Sequence, residues 1–153
     1  MPETAAQTAP AREFESFRVG DRAVLSRRIT EQDVAAFAAF SGDYNPLHMD
    51  SAFAGRTRFG HRVVHGMVVA SLVSTVIGMQ LPGTGALWVQ QTFRWRKPVF
   101  VDDTVEIMVE IAQVSPGGRL LSIRVAAVNQ EGTVVMDGEG VVHVPRVEPT
   151  QNR

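Results

Sequence analysis

Two side chains able to move protons stand close together in the stretch Ser41-Gly42-Asp43-Tyr44-Asn45-Pro46-Leu47-His48: the carboxylate of Asp43 and the imidazole of His48. Brought to one water molecule, such a pair can serve as general base and general acid, removing a proton from the water and delivering one to the group under attack. Histidine suits this work because its charge changes near neutral pH. The residues between and around them are turn formers. Pro46 disfavours the helical conformation at Asn45, so the segment reads as an irregular loop of fixed shape, able to hold both side chains convergent.

A second feature follows at Val63-Val64-His65-Gly66-Met67, where a long apolar stretch begins. Negative charge developing on a carbonyl oxygen needs a donor, and the backbone N–H groups at a helix N-terminus supply one, reinforced by the helix dipole. Gly66 sits at such an end and lacks a side chain to keep a ligand away. His65 beside it is expected to be structural. His48, Asp50, His61 and His65 are all competent metal ligands, and His61 and His65 have helical i, i+4 spacing. No further Glu/His signature follows on the same helix, and neither a metal nor any other cofactor is expected. The absence of cysteine removes thiol catalysis, thiolate metal sites and disulfides together.

The elements that must position these groups can be read from periodicity and punctuation. Residues 22–29 form a first strand after the Gly20-Asp21 turn. Thr30 is a good N-cap, with acidic Glu31 and Asp33 in the first turn of a helix carrying Val34, Phe37, Ala38 and Phe40 and stopped by Gly42. A short amphipathic piece at 50–54 leads through a basic link, containing Arg56, Arg58 and Arg62, to a helix over 67–81 that is apolar nearly all round. Met67, Met79 and the aromatic positions of the chain read as core rather than as cofactor contacts. Strands follow at 86–95, 104–114, 120–129 and 133–144, separated by Lys97-Pro98 with Asp102-Asp103, by Pro116-Gly117-Gly118 and by Gln130-Glu131-Gly132. The last two spacings suit antiparallel hairpins. The implied architecture is α+β, an antiparallel sheet wrapped around one long hydrophobic helix.

Gross composition narrows the partners. The chain has 153 residues, 44% hydrophobic and 20% charged, with a formal net charge of -1. That fits one domain and gives no electrostatic footprint for nucleic acid or an anionic membrane, so a small molecule is favoured. The first residues lack a basic segment followed by an apolar one, and the apolar run over 67–81 is shorter than the ~20 residues that span a bilayer. A cytoplasmic protein is expected, with flexible ends at 1–17 and 146–153 and a single domain over 18–145.

The motif Ser41 to His48, together with Val64-His65-Gly66-Met67, Ala70-Ser71-Leu72-Val73-Ser74 and the segment from Phe93 to Val105, resembles the MaoC-like dehydratases and (R)-specific enoyl-CoA hydratases. The resemblance runs from about Val19 to Val144. It implies a hotdog fold and reversible addition of water to a trans-2-enoyl thioester, giving an (R)-3-hydroxyacyl thioester, with no metal. It also implies a catalytic pair of Asp43 and His48, the Gly66 N–H as oxyanion donor, and supporting roles for Asn45 and Ser74. The substrate would be an enoyl-CoA or enoyl-acyl-carrier protein, whose phosphates or acidic surface could meet Arg56, Arg58 and Arg62. A homodimer or higher oligomer is implied, the sheets joining edge to edge. Two alternatives stand beside this reading. Hotdog thioesterases direct water at the thioester carbonyl, but many carry their acid on the long helix, which here has no carboxylate over 67–81. The chain could also be one subunit of a heterodimeric hydroxyacyl dehydratase.

Overall fold

Five segments rich in β-branched and aliphatic residues alternate between covered and open positions, the signature of strands with one face on a core. In the computed structural model, which describes residues 9–147, they are β1 (Arg22–Arg28), β2 (Leu87–Trp95), β3 (Thr104–Ser115), β4 (Leu120–Asn129) and β5 (Val134–His143). They form one antiparallel sheet in the order β1-β3-β4-β5-β2. The two expected hairpins, β3–β4 and β4–β5, are present. The strand order itself, with β2 at the far edge beside β5, has no local signal in the sequence.

Helix α1 (Glu31–Ser41) begins where the sequence places it. Thr30 forms a capping box: its hydroxyl accepts from the Asp33 N–H at 3.2 Å, and the Asp33 carboxylate accepts from the Thr30 N–H at 2.8 Å. Gly42 ends the helix in the left-handed conformation, φ 77°, which costs glycine nothing. Proline is then used differently from the expectation of a purely irregular loop. Pro46 occupies the first position of a one-turn helix, α2 (Pro46–Met49), where its missing N–H is not needed. Asp50 caps the short α3 (Ser51–Gly55).

The long helix α4 (Gly66–Met79) crosses the sheet and buries Val68, Val69, Ala70, Val73, Val76 and Ile77. These meet Val105, Ile107 and Val109 of β3, Ile123, Val125 and Ala127 of β4, and Val135, Met136 and Val142 of β5 in the main core. The helix is covered on most of its sides but not on all. Met67 is 51% exposed, and Ser71 and Ser74 are exposed with it. The three recur at helical spacing, so the serines that interrupt the apolar run mark a single open stripe.

At one end of the sheet a smaller cluster joins Phe14, Phe17, Leu81, Ile111, Leu121 and Val144. Phe14 and Phe17 are each only 2% exposed, so packing begins ahead of the expected boundary at residue 18. Two aromatic rings in a 3-10 turn have enough apolar area to dock a segment that composition alone marks as loose. Residues 1–8 and 148–153 of the expected flexible ends lie outside the described residues.

Candidate active site

The loop between α1 and α2 is built by local hydrogen bonds. The Ser41 hydroxyl accepts from the Asp43 N–H, Asp43 Oδ1 from the Asn45 N–H, and Asn45 Oδ1 from the Leu47 N–H, the last at 3.0 Å. Asn45 is thus the N-cap of α2, and the one turn that it starts carries His48. As a cap it sets the direction from which His48 leaves the loop.

His48 Nδ1 donates to the Val63 carbonyl at 2.6 Å, since a carbonyl oxygen can only accept. That assigns the ring hydrogen to Nδ1 and leaves Nε2 as the nitrogen with a free lone pair. The Val63 N–H in turn donates to the Leu47 carbonyl at 3.2 Å, so two hydrogen bonds tie α2 to the segment leading into α4. Asp43 is half exposed, its carboxylate 4.0 Å from His65 Nε2. Ligand-competent atoms of Asp43, His48 and His65 all lie within 4.8 Å of one another. A water making hydrogen bonds of about 2.8 Å to two such acceptors fits across that separation.

The metal set considered from sequence is not assembled. His61 packs edge-on against the Phe100 ring, and Asp50 accepts from the Phe53 N–H to cap α3. The histidine that does join the pair is His65, whose ring lies 4.0 Å from that of His48.

A cavity of about 480 Å³ opens beside this cluster, with His48 and Gly66 in its wall. Val64, Val69, Val99, Val135 and Met136 give it an apolar lining, within the range for small-molecule sites. Asp43, close to His48, is not among the lining residues. Ser74 is not brought to the cavity: it lies two turns along α4 from Gly66, on the open stripe. Gly66 is the first residue of α4, where a backbone N–H has no acceptor within the helix. A Cβ there would stand 2.5 Å from Trp95 Nε1, so only glycine lets this ring close over the helix N-terminus.

Trp95 and Met67, both in the cavity wall, were read as core from sequence. They are 49% and 51% exposed, because they form the rim of a cleft rather than the inside of the domain. No sequence signal joins Trp95 to Gly66, since the contact depends on the position of β2. The basic link is divided by its partners. Arg62 pairs with Glu31, Arg56 lies over the Phe53 ring, and Arg58 lies over Phe59 in the cavity wall together with Arg96 and Lys97.

Comparisons with known proteins agree with this geometry. The model of the MaoC like domain matches residues 19–133. A 3-hydroxybutyryl-CoA dehydratase of Methylorubrum extorquens is 43% identical over 136 residues, which cover 88% of this chain and 85% of that protein. An (R)-specific enoyl-CoA hydratase of Aeromonas caviae is 42% identical over 131 residues, covering 86% of this chain and 98% of that one. The solved (R)-hydratase structure from A. caviae superposes with a TM-score of 0.83, covering 86% of this chain and 99% of that chain at 42% identity. An R-hydratase from Pseudomonas aeruginosa gives 0.82, covering 92% of each chain at 34% identity. The sheet wrapped on α4 is therefore the hotdog fold, and the chain belongs to the MaoC-like dehydratases and (R)-specific enoyl-CoA hydratases, a family of hydro-lyases.

Proposed function

We propose that the chain reversibly hydrates a trans-2-enoyl-CoA to the (R)-3-hydroxyacyl-CoA, with Asp43 and His48 as the catalytic pair. The observation that carries this reading is the gathering of three groups: His48, with its Nε2 lone pair free, and the Gly66 N–H at the start of α4 in one cavity wall, and the Asp43 carboxylate close beside the His48 ring. Asp43 accepts one hydrogen of the water and orients it, and His48 Nε2 takes the other as oxygen attacks the β-carbon. The double-bond electrons move to the thioester oxygen, where the Gly66 N–H stabilises the charge. The His48 imidazolium then returns its proton to the α-carbon, which balances the addition and regenerates the neutral ring. Dehydration is the same path reversed. Asn45 supports the pair as the cap of α2. Ser74 contributes nothing to the cavity of the single chain.

The exposed cations Arg58 and Lys97 flank the apolar cavity, and their charge suits the phosphates of coenzyme A. Arg96 is held by Asp137 at 2.8 Å and serves them less directly. We further infer a homodimer joined along β2. This edge strand leaves Leu87 and Val89 56% and 61% exposed, a template that a second sheet would satisfy. Among the described residues no helix is long and apolar enough to cross a membrane; a cytoplasmic setting and a place in fatty acid metabolism are part of the proposed reading.

The test is to incubate the purified protein with crotonyl-CoA and longer trans-2-enoyl-CoAs while following the enoyl absorbance and, separately, free thiol. Loss of absorbance without thiol is expected. Thiol release with the enoyl signal intact would replace hydration with thioester hydrolysis.

A further inference from the structure

His65 is a buried polar residue, 2% exposed, at the junction of loop and helix, and buried histidines need partners. Three contacts set it apart from ordinary core. Its Nε2 donates to the backbone carbonyl of Asp43 at 2.9 Å, which places the ring hydrogen on Nε2. One face of the ring stacks on His48, centroids 4.0 Å apart and planes tilted by 30°, while Phe37 packs against it at 4.8 Å. It is also the N-cap residue of α4, bonded directly to Gly66.

The first contact matters most because of what else holds the Asp43 loop. Residues 42–46 are exposed, so burial contributes little to their position. Among the described residues, every other hydrogen bond of this loop, at Gly42, Asp43, Tyr44, Asn45 and Pro46, runs to a residue at most four positions away. Only the bond from His65 crosses to a distant part of the chain, 22 residues on. Such local bonds give the loop its shape but do not locate it against the fold.

We propose that His65 is a positioning residue that registers Asp43, His48 and Gly66 against one another, by its hydrogen bond to the first, its ring face on the second and its peptide bond to the third. This rests on the reading of Asp43 and His48 as the catalytic pair. His65 touches neither substrate nor the transferred proton. It acts by holding the carboxylate and imidazole at one separation, where a misplacement of about 1 Å costs on the order of a hundredfold in rate.

The test compares kcat and KM for crotonyl-CoA in His65→Phe, which keeps a ring but removes the donor, and His65→Gln, whose amide can still reach the Asp43 carbonyl. Each is made alone and in the His48→Gln background, with thermal melting of every variant. His65→Phe is expected to lower kcat by about ten- to a hundredfold with KM within about twofold, and His65→Gln to recover most of that loss. In the His48→Gln background, His65→Phe is expected to lower the residual rate less than about twofold, because the pair it positions is already broken. Unchanged kcat in His65→Phe, a change confined to KM, or the same fold-loss in both backgrounds would overturn the proposal. If His65→Phe does not fold, His65→Asn replaces it: its shorter amide cannot reach the carbonyl, and activity equal to that of His65→Gln would overturn the proposal equally. Near-normal activity in His48→Gln alone would instead remove the catalytic pair itself, a separate outcome.

Discussion

At the residue scale the proposed chemistry assigns the work to two side chains, Asp43 and His48, and one backbone N–H, that of Gly66. Asp43→Asn and His48→Gln are each expected to lower kcat by about two to four orders of magnitude with the melting temperature little changed, since both side chains act in proton transfer and neither is in the core. Steady-state rates beside melting curves check this. Gly66→Ala is expected to cost activity for a steric reason: its Cβ would stand 2.5 Å from the Trp95 indole, so the ring must move off the helix N-terminus. Arg58→Ala and Lys97→Ala should each raise KM about two- to fivefold, and less at high salt, with kcat unchanged. The closeness of Asp43 and His48 was legible from sequence because Asp43, Asn45, Pro46 and His48 lie within one short turn-forming motif. His65 and Trp95 were not, because their importance lies in contacts with residues distant along the chain. Ser74 was placed by resemblance, and its side chain points along the open stripe of α4 rather than into the cavity.

At the scale of elements, the start of α1 is the most readable feature of the chain, and it sets where the catalytic loop begins. Thr30→Ala should destabilise the fold by about 1 kcal/mol by removing the capping hydroxyl, as measured by chemical denaturation. Partial burial works against ionisation of Asp33, but the Thr30 N–H and hydroxyl and the nearby Arg27 guanidinium outweigh it, holding this carboxyl below the ordinary value of 3.8. A lowered folded-state pKa means that the unfolded chain takes up the proton first. The stability from this box is therefore full at neutral pH and is lost as pH falls from the ordinary value through the lowered one. Asp33→Asn should remove that part of the acid dependence, which denaturation curves at neutral and acidic pH would reveal. The strands were equally legible, from alternation and Gly- or Pro-marked turns. Their order was not, because the β2–β5 pairing joins segments distant in the chain, and the glycine it requires shows only in the folded sheet: a Cβ on Gly138 would come within 1.8 Å of the Thr92 carbonyl. Gly138→Ala is expected to destabilise by about 1–3 kcal/mol through strand displacement.

At the scale of the whole molecule, the sheet buries one face of α4 and leaves the Met67, Ser71 and Ser74 stripe open. The sequence marks α4 as apolar nearly all round but does not locate this stripe, because hydrophobic content sums over a helix while burial is decided stripe by stripe. Pairing along β2 predicts twice the chain mass in sedimentation, and Val89→Lys on that edge should shift the species toward the single chain. The cavity ties these scales together, since its walls come from α2, α4, β2, β5 and the links between them. Its chemistry is tested most directly by one measurement: crotonyl-CoA turnover by the wild-type chain and by Asp43→Asn and His48→Gln, read at once as enoyl absorbance, free thiol and the configuration of the 3-hydroxybutyryl product. Hydration to the (R) product without thiol in the wild type, and its loss in both variants, is the expected result. Thiol release in place of hydration, or hydration surviving in either variant, would contradict the assignment.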